Sequence, residues 1–204
     1  MSLGLNQLLT LWSQTGVFVL GVYFKIQTFV FMPVFGLNQG LMPIMGYNFG
    51  ARKKHRLNSA IKYGCVIALV LMGVGMLVFW LWPDVLLSIF NASADMLKIG
   101  VPGLRIISLC FLPAALGIVG STFFQAVGKG VNSLLVSLLR QLIILLPAAF
   151  LLAKLGVVEW VWYAFPIAET FSLFATIVLF ARVYKRQIQN LEQELSRISG
   201  PEIE

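Results

Sequence analysis

Apolar residues in this chain run in long stretches, and most charged residues gather between them. From Ile26 to Ala51 no charged residue occurs, and the stretch stops at a basic cluster, Arg52, Lys53, Lys54, His55 and Arg56. Two prolines (Pro33, Pro43) and four glycines (Gly36, Gly40, Gly46, Gly50) interrupt it. In a bilayer, irregular backbone survives only where protein or a water-lined cavity covers it. The pattern predicts one helix over Val17–Phe49. At about 1.5 Å per residue such a helix exceeds a ~30 Å hydrocarbon core, so it must tilt, kink or project into water. Pro33 removes an internal hydrogen bond and marks the expected kink.

Four more spans follow. Tyr63–Pro83 carries no charge over 21 residues and ends near Trp80 and Trp82, which suit a membrane interface. Asp84–Lys98 is amphipathic and is expected on the surface beyond, with Asn91 and Asp95 as caps. The next spans are expected over Ile99–Val127, with Pro102 and Pro113 inside, then Asn132–Ala153 and Trp160–Ala181. Gly128-Lys129-Gly130 reads as a tight turn, and Lys154–Glu159 as a short loop. The tail repeats apolar residues at Ile188, Leu191, Leu195 and Ile198, the spacing of a short amphipathic helix on a membrane surface. At the other end, Met1–Ser13 is apolar but too short for the roughly 20 residues a span needs. It has no basic start and no small-residue cleavage motif, so it reads as the second half of a helix, followed by a polar turn at Ser13–Gly16.

Composition makes the class firm. Of 204 residues, 59% are hydrophobic and 11% charged, where soluble domains carry about a quarter charged residues. The fold class is an all-α polytopic membrane protein. A net charge of +7 could serve nucleic acid, but the cations sit at the ends of apolar runs, so no nucleic-acid partner is expected. Arg52, Lys53, Lys54, Arg56, Lys62, Lys129, Arg182, Lys185, Arg186 and Arg197 fall on one side of the predicted spans, against Lys98 and Lys154 on the other. Ten cations against two place the first side, with the C-terminus, in the cytoplasm.

Four charges remain inside spans: Lys25, Arg105, Arg140 and Glu169. Intramembrane charges are costly and mark function by default. Lys25 shares a helical face with Phe29, Met32, Gly36, Gln39 and Pro43. It reads either as a residue of a transport pathway or as a buried lysine held by an acid or by carbonyls. Glu169 reads as a proton or cation carrier, or as a structural counter-ion to Lys25 or Arg140. Arg105 is expected to snorkel. The pathway candidates are Lys25, Gln39, Arg140 and Glu169. Gly36–Gly40 and Gly46–Gly50 have the spacing of close helix contacts, and Asn38, Gln39, Asn48 and Gln125 are polar groups that bond across helices or line a wet cavity. Cys65 and Cys110 read as small core hydrophobes, and the single histidine leaves no metal set. There is no Ser/His/Asp set, no HExxH and no Walker motif, so neither an enzyme nor an ATP-driven pump is expected, and no cofactor.

The Phe24–Arg56 run also resembles the eighth helix of the multidrug and toxic compound extrusion (MATE) family. The matching residues are Phe31, Pro33, Gly36, Leu37, Gln39, Gly40, Pro43, Gly46, Tyr47, Asn48, Gly50 and Ala51. Phe123–Gly130 (FFQAVGKG) is similar to the family's signature at the end of helix ten. The resemblance implies twelve helices in two six-helix lobes, of which residues 1–187 supply the second with its first helix truncated, and 188–204 a cytoplasmic tail. It implies a plasma-membrane antiporter that exports drugs or organic cations as Na⁺ or H⁺ enters. The missing N-terminal lobe is then the expected partner, and the chain alone is expected to be inactive. Some relatives carry cation-binding acids in helices seven and ten. The second aligns near Ala114, which implies that coupling rests with the other lobe. Two other readings remain: a lipid-linked oligosaccharide flippase of the related superfamily, which would use Lys25, Arg105 and Arg140 on pyrophosphate, or a non-transporting truncated product.

Overall fold

The computed structural model describes residues 14–153 and 158–189. The expected half helix before Ser13 and the amphipathic tail after Gln189 lie outside the described residues.

The described chain is helical, with no strand among the described residues. Helix α1 (Gln14–Gly50) is followed by α2 (Lys54–Leu81), the short α3 (Pro83–Ser88), α4 (Ala94–Ser108) and α5 (Phe111–Ala126). Next comes α6 (Gly130–Leu138), continued by a π-helical stretch (Leu139–Leu145) and α7 (Leu146–Ala153). The short α8 (Val158–Val161) precedes α9 (Ala164–Val183), which ends in a π-helical turn (Tyr184–Ile188). Thr15–Gly50, Lys54–Leu81, Gly130–Ala153 and Ala164–Ile188 are each long and apolar enough to cross a membrane. The α4–α5 pair, bent by 44° at Ser108–Phe111, passes the same length and composition test only when its two halves are taken together as one span.

Several boundaries differ from those expected. Gln14–Gly16 belong to α1, so the polar turn does not form there. Helix α1 runs unbroken through Pro33 and Pro43, and at about 1.5 Å per residue its 37 residues reach ~55 Å. The break expected of a proline appears instead beside Pro113, where Leu109 and Cys110 donate three residues back, to Ile106 and Ile107. The last crossing begins at Ala164 rather than Trp160, because a turn at Trp162–Tyr163 separates it from α8. Ser93, not Asn91, caps α4, its Oγ accepting from Met96 N at 3.4 Å. Asn91 takes the left-handed conformation (φ 55°) that closes the turn after α3, and Asp95 pairs with Lys98 at 3.2 Å. The expected turn at Gly128 does form, with φ 72°.

The core is aromatic and runs between α1, α2, α5 and α9. Phe79 and Phe111 meet at 5.1 Å between centroids, Phe31 and Phe111 at 5.5 Å, and Tyr23 and Phe165 at 5.7 Å. All five rings are buried. Edge-on pairs of this kind add about 0.5–1.5 kcal/mol each beyond area burial. Small residues set the spacing, but not the expected ones. A Cβ at Gly36, Gly40 or Gly50 would meet nothing, and one at Gly46 would touch Ala126 O at 3.4 Å. The close approaches are at Gly64 against Leu41, Gly75 against Val30, Gly100 against Leu87 and Gly120 against Thr176. The basic end is tied together by Lys54 Nζ donating to Gln189 O at 2.9 Å and Asn58 Nδ2 donating to Tyr184 Oη at 3.0 Å.

Candidate functional site

Helices α1, α5 and α9, with α6 and the π-helical stretch that continues it, line two adjoining open cavities, and one ion pair forms part of the wall of both. Arg140 Nη1 donates to Glu169 Oε1 at 2.7 Å. Arg140 lies in the π-helical stretch. Pro147 offers no N–H to the Ile143 carbonyl, and the helix widens in the turn just before it. Widening shifts the helical register, which is how a π turn re-aims a side chain toward a neighbouring helix. Glu169 projects from the first half of α9, and the two side chains are 29% and 14% exposed. A lone charge at this depth is costly, and pairing offsets much of that cost.

The polar cavity, about 420 Å³, lies on one side of the pair and is lined by Asn38, Gln39, Ser121, Thr122, Gln125, Ser133, Ser137 and Ser172. Gln125 Nε2 donates to Ser133 Oγ at 3.2 Å, joining α5 to α6. Asn38 is 8% exposed, and neither its amide nitrogen nor its oxygen has a partner among the described residues. The aromatic cavity, about 530 Å³, is lined by Tyr23, Phe24, Phe31, Phe165, Cys110, Gln27 and Gln141. Phe35, Ile118, Arg140 and Glu169 belong to both linings. The site therefore offers hydroxyl and amide groups at one end, ring faces at the other and a neutralised charge pair between.

Of the four pathway candidates, Arg140, Glu169 and Gln39 converge on these cavities, and Lys25 does not. Lys25 is exposed, and its Nζ stands 5.8 Å from the centre of the Phe90 ring. It is neither buried nor the counter-ion of Glu169. Its face of α1 is exposed throughout, and only Met32 and Gln39 of that face reach a cavity. Other α1 residues that line the site, among them Tyr23, Gln27, Phe31 and Asn38, lie away from that face, since a helix turns about 100° per residue. Asn48 bonds within its own helix, Nδ2 donating to Ile44 O at 2.8 Å, and not across helices. Pro33 and Pro43 are exposed along α1. Arg105 lines a separate cleft, so Lys25, Arg105 and Arg140 do not form one cationic surface. Among the described residues no group of His, Cys, Asp and Glu is placed to hold a metal, and both cysteines are free.

The serines were not singled out from the sequence. Their signal is spacing: Ser121 and Gln125 stand four apart on α5, and Ser133 and Ser137 four apart on α6, each pair on one helical face.

The family model MatE matches residues 1–151. The chain belongs to the MatE family. The multidrug export protein MepA of Staphylococcus saprophyticus is 24% identical over 159 residues, covering 78% of this chain and 35% of MepA. MepA of Staphylococcus aureus (strain MSSA476) is 24% identical over 175 residues, covering 86% of this chain and 38% of its own. This chain thus spans little more than a third of the curated relatives it matches. Among solved structures, the outward-facing conformation of a multidrug resistance MATE family transporter of the MOP superfamily superposes with TM-score 0.80 at 23% identity, over 94% of this chain and 43% of that one. The MATE multidrug transporter DinF-BH superposes with TM-score 0.76 at 33% identity, over 89% of this chain and 40% of that one. The superposed fold accounts for nearly all of this chain and for less than half of that transporter.

Proposed function

We propose that this chain is the C-terminal lobe of a cation-coupled multidrug efflux antiporter, with residues 1–187 forming the lobe and 188–204 a cytoplasmic tail. The observation that carries the reading is the pair of cavities on either side of Arg140–Glu169, in a chain whose relatives include multidrug export proteins. The aromatic cavity suits a flat organic cation held by ring faces. The polar cavity suits its hydrogen-bonding groups and water. Export exchanges the drug for Na⁺ or H⁺. Because Glu169 is already neutralised by Arg140, coupling rests with the first lobe. Rocking of the two lobes exposes the cavities to each side in turn, and the lobe alone is inactive.

The protein resides in the plasma membrane with its basic end, Arg52–Arg56 and Gln189, facing the cytoplasm. Co-expression with the N-terminal lobe of a MatE relative in a drug-hypersensitive strain tests this. Efflux of a cationic dye is expected only when both lobes are present. If no pairing of lobes ever restores efflux, the reading fails.

A further inference from the structure

At the end of the bundle away from the basic cluster, α2 and α4 open a cleft of about 410 Å³ unconnected with the transport cavities. Its walls are Trp80 from α2, Val101, Pro102 and Ile106 from α4 and Leu109 from the break just after it, with Arg105 between them. Arg105, Trp80 and Leu109 are exposed. The guanidinium of Arg105 has no protein partner among the described residues, and no acidic side chain lines the cleft.

Depth comes from the helices. Trp80 is one residue from the end of α2 at Leu81. Arg105 lies 11 residues beyond the start of α4 at Ala94, about 16 Å along its axis. Since both line one cleft, the first turns of α4 stand beyond the end of α2, and Arg105 sits level with Trp80. A tryptophan at a helix end marks the boundary between headgroups and acyl chains. An exposed arginine there, with no acid among the residues lining its cleft, is matched by one abundant group at that depth, the phosphodiester of a lipid.

We propose that this cleft holds an anionic phospholipid of the phosphatidylglycerol type. Arg105 donates to the phosphate, Trp80 lies against the glycerol backbone, and an acyl chain follows Val101, Ile106 and Leu109. A zwitterionic choline lipid is disfavoured because its headgroup cation finds only the guanidinium and no carboxylate.

The test uses the full chain in nanodiscs containing phosphatidylglycerol or phosphatidylcholine that carries a diazirine near the acyl carbonyl. Crosslinks are mapped by mass spectrometry. The expected result is labelling of α4 around Val101–Leu109 and of α2 near Trp80 by the glycerol lipid, several-fold above the choline lipid. Arg105→Gln should lower that labelling about tenfold, the weight of a charge-assisted hydrogen bond, with labels elsewhere unchanged. Arg105→Lys, which keeps the charge but loses the forked geometry, should fall between. Equal labelling by the two lipids, or undiminished labelling of Arg105→Gln, overturns the proposal.

Discussion

Arg140 and Glu169 meet at 2.7 Å between a π-helical turn and α9, and their contact belongs to the walls of both cavities. Neither residue can be changed alone without leaving the other charged and partly enclosed. Arg140→Gln and Glu169→Gln should each lower stability, by about 2 kcal/mol, less than the roughly 3–5 kcal/mol of a fully buried pair because Arg140 keeps 29% exposure. The double variant should be more stable than either single one. Thermal unfolding in detergent, read as a double-mutant cycle, measures this. Additive losses would mean that the two groups do not interact.

The pair depends on where Pro147 places the wide turn. Pro147→Ala restores an N–H for Ile143 O and lets Leu139–Leu145 tighten into an ordinary α-helix. Arg140 then rotates away from α9. In that background the coupling energy between Arg140 and Glu169 should fall toward zero. A coupling equal to that of the parent chain would show that the proline does not hold the turn open.

Glycine substitutions should sort by contact rather than by motif. Gly36→Ala and Gly40→Ala enter open space within a helix and should stabilise this chain, by up to about 1 kcal/mol each. Gly75→Ala and Gly120→Ala run into Val30 and Thr176 and should lower the melting temperature, at a cost of about 1–3 kcal/mol. Melting curves of the four variants decide it. Destabilisation by Gly36→Ala in the isolated chain would contradict the open face.

Asn38 puts an amide with no partner among the described residues at the wall of the polar cavity. A buried amide without a partner costs about 1–3 kcal/mol, so Asn38→Leu should leave stability unchanged or raised. Dye efflux by the paired lobes should fall, because the cavity loses a polar contact. Loss of stability together with loss of efflux would point to a structural bond instead.

Much of the architecture was legible. Apolar run length, the tryptophans and the placement of cations specify five crossings, because each follows from the chemistry of a bilayer acting on single residues. The Phe31–Ala51 pattern carries the family in the same way. What stayed hidden depends on rotation about helix axes. Lys25 and Gln39 share a face on paper, yet only Gln39 reaches a cavity, because the neighbours of a helix cannot be read from the helix alone. Likewise Glu169 had two cations within reach, and only the π turn upstream of Pro147 selects Arg140. The glycines mislead for the same reason. Gly36 and Gly40 have the contact spacing, but the partners that close on glycine sit at Gly64, Gly75, Gly100 and Gly120.

The bonds at the basic end join residues that are far apart along the chain. Lys54 and Gln189 are 135 positions apart, and Asn58 and Tyr184 are 126 apart. During synthesis the helices that precede α9 can enter the membrane and pack, but that end stays unlatched until α9 has been inserted. Glu169 arrives with the same helix, so Arg140 waits in the bilayer uncompensated for as long as the ribosome needs to deliver it. Closure of this bundle is therefore timed by the arrival of α9, and a nascent chain stalled before Tyr184 would present quality-control proteases with an open bundle.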